Sequence, residues 1–171
     1  MSAIVRGTVM DANDIDVAYA EATYRFVDPL PQLPDNQLAT ATVRPDGQGK
    51  SSMRELIGLQ ATEEANSGLS ALLLPPAETA NALGTLHGGV SFSAATLVAT
   101  QSAANPKLVI SSATLWFLRP LKLGLPTRIE ATNLHSGRTQ SVVAIDLHSP
   151  DNKRAIHGIV SFRPREDADL R

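Results

Sequence analysis

The chain has 171 residues, with 15 basic and 17 acidic side chains, a formal net charge of -2 and no cysteine. That length suits one domain with or without an extension, and it is enough to bury a sizeable core. The charge gives no broad positive field for a phosphate backbone, so nucleic acid is not an expected partner; the missing thiols exclude disulfides, thiolate metal sites and a cysteine nucleophile.

The N-terminal stretch MSAIVRGTVMDANDIDVAYA lacks the basic start and continuous apolar run of an export signal, which favours the cytoplasm. Asp16 to Val27 and Asn36 to Arg44 mix β-branched or aromatic residues with polar ones, as half-exposed strands do. Between them Pro29, Pro31 and Pro34 lack backbone donors, so the connection is a loop. After the breaker Pro45-Asp46-Gly47-Gln48-Gly49, Ser51 or Ser52 caps a short helix that runs to Leu59 and carries Met53, Leu56 and Ile57. Residues 1–50 therefore read as a strand and loop extension, and residues 51–171 as the main domain.

Leu69 to Leu74 is a strand stopped by Pro75-Pro76. Gly88 to Ala104 holds no charge, but its glycine, serine, threonine and glutamine keep it short of the roughly 20 strongly apolar residues of a membrane span. It predicts a buried helix of about 25 Å at 1.5 Å per residue. No membrane association is expected. Strand-like runs follow at Leu108 to Leu118, Thr127 to Leu134, Thr139 to His148 and Arg154 to Phe162, separated by Leu123-Gly124-Leu125-Pro126, Ser136-Gly137 and Pro150-Asp151-Asn152. A helix uncharged all round requires enclosure, and an antiparallel sheet curving about it gives an α+β protein. The segments VMDANDIDVAYAEATYRF and DLHSPDNKRAIHGIVSFR echo each other, each a polar turn and then a strand closing on an aromatic. Any two strand pairs share that much; a tandem duplication is the lesser explanation.

Asn81-Ala82-Leu83-Gly84-Thr85-Leu86-His87-Gly88-Gly89 lies between a strand and the buried helix. The paired glycines mark the helix N-terminus, where free N–H groups and the positive end of the dipole gather. A carbonyl aimed at Gly88 or Gly89 there meets donors worth about 3 kcal/mol each as its oxygen becomes negative. His87 and Asn81 are placed to orient the reacting group. On spacing alone the plainer reading is a tight turn with a scaffolding histidine. His135, His148 and His157 show no ligand spacing, and neither a metal nor a cofactor is expected.

This segment resembles the motif of the PaaI-like branch of hotdog-fold acyl-CoA thioesterases, in which Asn or Gln, then Gly, then His-Gly-Gly opens the central helix. Leu115-Trp116-Phe117-Leu118-Arg119-Pro120 and Ser136-Gly137-Arg138 resemble the strand and hairpin that follow, and the likeness spans Glu55 to Pro164. The Phe-Leu-Arg-Pro element is also similar to tandem-hotdog thioesterases of the type II class. The resemblance implies a hotdog fold, hydrolysis of an acyl-CoA at a dimer interface, carbonyl polarisation by the Gly88 amide, and a homodimer or dimer of dimers. Gly89 would then line the substrate site, and Arg119 and Arg138, with Lys122, suit the phosphates of CoA. One position departs from the pattern. Where the branch has a carboxylate, nine residues past the motif histidine, this chain has Thr96, and no Asp or Glu occurs from Thr79 to Ile129. A threonine does not replace a carboxylate as base at neutral pH. Thr96 and Asn81 aligning a water, Asp146 or Glu130 arriving across a dimer interface, and a noncatalytic acyl-CoA or lipid-binding module all remain open.

Overall fold

The computed structural model describes residues 2–10, 16–25, 52–65, 68–81 and 83–164. Asn36 to Arg44 and the proline-rich connection before it fall outside these. The chain divides into two compact units, Met1–Thr40 and Ala41–Arg171.

In the first unit β1 (Ser2–Met10) pairs antiparallel with β2 (Asp16–Arg25). The strand at Asp16 was expected; β1 was not. Arg6 Nε and Glu21 Oε2, opposite each other, form an exposed ion pair at 2.7 Å.

The second unit opens with α1 (Met53–Leu56), a single turn in place of the helix expected as far as Leu59. Ser52 caps it, accepting from the Glu55 N–H while the Glu55 carboxylate accepts from the Ser52 N–H. Gly58 ends it. This glycine sits at φ +74°, and a Cβ there would lie 2.0 Å from the Leu74 carbonyl oxygen, so the chain leaves the helix through a left-handed residue. The next segment is β3 (Leu59–Ala65), which the sequence did not announce, and β4 (Gly68–Leu73) follows.

After a 3-10 turn at Ala77–Thr79 come α2 (Gly88–Ala103), β5 (Leu108–Phe117), β6 (Thr127–Ser136), β7 (Ser141–His148) and β8 (Arg154–Pro164). The antiparallel sheet has the order β3-β4-β6-β7-β8-β5. Alternation is cleanest in β7. In β7, Val143, Ile145 and Leu147 are buried while Val142, Ala144 and Asp146 are only part-buried. The buried face packs on Ala94, Ala95, Val98 and Ala99 of α2, forming one core with Ile129, Val160 and Phe162. Small side chains let the helix lie close to the sheet. Enclosure of α2 is less complete than expected, because the sheet covers one face and leaves Phe92, Thr100 and Gln101 exposed.

The echo between the two ends of the chain extends to hydrogen-bond register. Val9 faces Ala18 and Met10 faces Asp16, with a bulge between Val9 and Met10. In the β7–β8 hairpin Leu147 faces Ile156 and His148 faces Arg154, with a bulge between Leu147 and His148. A constant offset of 138 residues maps the first set of pairs onto the second.

Candidate functional site

The Asn81–Gly89 segment is held between two backbone ladders. Ala80 bridges Leu86, Thr85 bridges Lys122, and the Leu86 N–H donates to the Leu121 carbonyl at 2.9 Å. The His87 N–H donates to the Thr79 carbonyl, also at 2.9 Å, so the Ala77–Thr79 turn, which includes the exposed Glu78, runs beside the motif. A count of carboxylates begun at Thr79 passes over that residue.

Asn81 shapes the loop. Its Oδ1 accepts from the Leu83 and Thr85 N–H groups at 2.9 and 3.1 Å, and its Nδ2 donates to Thr85 Oγ1 at 2.8 Å. His87 is the N-cap of α2, and its Nδ1 accepts from the Gly89 N–H at 3.0 Å. That bond requires a lone pair on Nδ1, so the neutral ring carries its hydrogen on Nε2, a donor free to face a ligand. The Val90 and Ser91 N–H groups donate to the His87 carbonyl. Among the described residues, the Gly88 N–H has no acceptor within the protein. Of the two glycine amides at the helix mouth, one is spent on the histidine cap and the other is available. The Phe117 ring closes that side, since a Cβ on Gly88 would lie 3.6 Å from Phe117 Cε1.

Thr96 lies two turns along α2. Its hydroxyl is within reach of the Phe92 and Ser93 carbonyls, at 3.0 and 3.1 Å, so its proton is committed to the helix backbone. Asp146 and Glu130 sit on the sheet face away from α2. Asp146 Oδ1 meets Arg154 Nε at 2.9 Å and His157 Nδ1 at 2.8 Å. Glu130 meets Arg128 at 2.8 Å. Its other oxygen lies 3.3 Å from His148 Nε2, off the hydrogen-bonding direction, and both ring nitrogens of His148 lack a hydrogen-bond partner. Arg119, just past the end of β5, donates from Nη1 to the Arg154 carbonyl at 2.6 Å, near the end of the sheet that Phe117 and Gly88 share. Arg138 lies in the β6–β7 turn, next to the Ser141–Phe162 pair at the opposite end. One chain does not bring it to Gly88.

The family model described as the acyl-CoA thioesterase N-terminal domain matches residues 76–163, just over half of the chain. Among solved structures, a thioesterase from Haemophilus influenzae is 22% identical with a TM-score of 0.61, covering 67% of this chain and 82% of that one. The PaaI protein of the E. coli phenylacetic acid degradation operon is 21% identical with a TM-score of 0.59, covering 65% and 86%. A Streptococcus mutans protein bound to acetyl-CoA is 18% identical with a TM-score of 0.56, covering 60% and 86%. No curated protein matches the sequence. The likeness to solved structures shows the fold, which is the hotdog fold.

Proposed function

The chain belongs to the acyl-CoA thioesterase family whose N-terminal domain it matches, and from that premise we propose that it hydrolyses an acyl-CoA to the free acid and CoA. The observation that carries this reading is the Gly88 amide. It is without a protein acceptor among the described residues, and it stands at the first position of an uncharged helix, next to a histidine whose Nε2–H points away from the cap. A thioester oxygen seated there accepts from Gly88, with His87 as the second donor and Gly89 keeping the approach open. As water adds to the carbonyl carbon, charge grows on that oxygen, and one preorganised donor lowers the barrier by about 3 kcal/mol. The carbon–sulfur bond then breaks, and the proton lost by water goes to the departing sulfur. The Thr96 hydroxyl donates to the backbone but keeps lone pairs with which to order the water, while Asn81 holds the loop.

Both edges of the sheet bear on assembly. β3 carries Glu63 and Glu64, charges that discourage edge pairing, whereas β5 has none and exposes Val109, Ile110 and Phe117. We assign a homodimer to the β5 edge, with a dimer of dimers as the larger form. Two-fold pairing of one strand with its copy is antiparallel. It would set the Arg138 end of one subunit beside the Gly88 end of the other, so that Arg119 and the partner copy's turn approach one CoA. The cytoplasm is the proposed address.

The test is release of free thiol from a panel of acyl-CoAs, comparing the natural chain with Gly88→Pro. Proline removes the N–H in question and adds a ring whose Cβ meets Phe117 at 3.6 Å, an ordinary contact. It suits the first helical position, and His87 already has the extended backbone, φ -62° and ψ 134°, that a following proline demands. The variant is expected to keep its thermal midpoint and lose about 100-fold or more in kcat. Undiminished turnover would remove the oxyanion role.

The committed hydroxyl of Thr96 and the lack of a carboxylate along α2 favour a second reading, a module that binds acyl-CoA or another lipid without hydrolysing it. Binding without turnover, with activity gained in Thr96→Asp, would decide for that reading.

A further inference from the structure

Trp116 is the only tryptophan of the chain, and 49% of its surface is open to solvent. A large aromatic ring left half exposed gives up much of the stabilisation that burial offers. The ring is nonetheless firmly oriented. It stacks on His157, with centroids 5.6 Å apart and planes 17° from parallel. His157 is fixed in turn by Asp146, at 2.8 Å, and the same carboxylate oxygen is held by Arg154 at 2.9 Å. Arg119 joins the cluster through the Arg154 carbonyl. Two guanidinium groups and one carboxylate are thus linked, through His157 and the Arg154 carbonyl, to the strand end that carries this flat aromatic surface, and within that set positive charge is in excess by one.

The position of this surface matters as much as its chemistry. Trp116 and Phe117 are consecutive on β5, so their side chains leave opposite faces of the sheet. Phe117 lies against the Gly88 mouth of α2, and Trp116 is on the far side of the same strand end. A ligand with one reacting end and one aromatic, phosphorylated end, joined by a long flexible arm, can occupy both places by rounding the end of β5 past Arg119. A CoA thioester has that construction.

We propose that the open face of Trp116 seats the adenine ring of the CoA thioester, with Arg119 and Arg154 taking its phosphates; this rests on the thioesterase reading of the Gly88 site. Stacking of a base on an aromatic side chain, and Arg forks on phosphate oxygens, supply the recognition. His157 is a positioning residue, since it braces the indole without touching the nucleotide.

The single tryptophan makes its own emission the probe. The full chain is titrated with CoA, with adenosine 3′,5′-bisphosphate, which has the nucleotide but no arm, and with pantetheine, which has the arm but no nucleotide. Saturable quenching is expected from the first two and none from pantetheine. By calorimetry, Trp116→Leu is expected to weaken CoA binding about tenfold. If acyl-CoA is turned over or CoA binds while adenosine 3′,5′-bisphosphate leaves the emission unchanged at millimolar concentration, the nucleotide seat is wrong and the thioesterase reading stands. If neither CoA nor any acyl-CoA binds or reacts, both fall. Quenching by pantetheine alone would also overturn the assignment, because it would put the arm where the base belongs.

Discussion

At the scale of single residues, His87 has two separable duties. Its Nδ1 caps the Gly89 amide and its Nε2–H is free for a ligand. His87→Asn keeps a short cap acceptor and loses the Nε2 donor, whereas His87→Ala loses both. The alanine variant is expected to cost about 1 kcal/mol, or about 2–4 °C in midpoint, with the asparagine variant close to the natural chain. Both should show reduced kcat/KM. Calorimetry and the thiol assay together check this, and equal activity in all three chains would leave His87 as a cap alone. Much of this site was legible: a Gly-Gly pair ahead of an uncharged helix announces exposed amides. What spacing does not reveal is which amide is already used. That follows from the His87 rotamer, which folds back onto Gly89, and from Asn81, whose amide is consumed by Leu83 and Thr85. Nor does the sequence show that Thr79 lies alongside His87.

At the scale of elements, the two edges of the six-stranded sheet explain both the successes and the omissions of sequence reading. The four strands from β5 to β8 are bounded by proline or glycine turns, and in β6, β7 and β8 buried and open positions largely alternate. β3 hides because Leu59 is its one buried residue, and its glutamates look like those of a surface loop. The sequence pattern overextends α1 because a glycine within a periodic run passes for a tolerated residue, whereas Gly58 at positive φ is the stop. The contrast between edges gives a prediction. With Val109 and Ile110 both changed to lysine, β5 acquires the protection that β3 has, and light scattering should move from dimer to monomer at micromolar concentration. An unchanged mass would overturn the proposal of a dimer through the β5 edge.

At the scale of the whole molecule, the buried core among the described residues runs from Ile57 to Phe162. Phe162→Ala, at a side chain only 1% exposed, should cost about 3–5 kcal/mol by leaving a cavity between sheet and helix, read as a shifted urea midpoint. The matching register of the two hairpins has a consequence of its own. Their correspondence sets Ala20 at the place of Gly158, where an added methyl would stand 2.9 Å from both the Thr114 carbonyl oxygen and Leu115 Cγ. β8 tolerates the close approach of β5 because that methyl is missing. β2 carries it, so the N-terminal hairpin has the pairing of its counterpart but would hold any strand laid beside it in that manner at a greater stand-off.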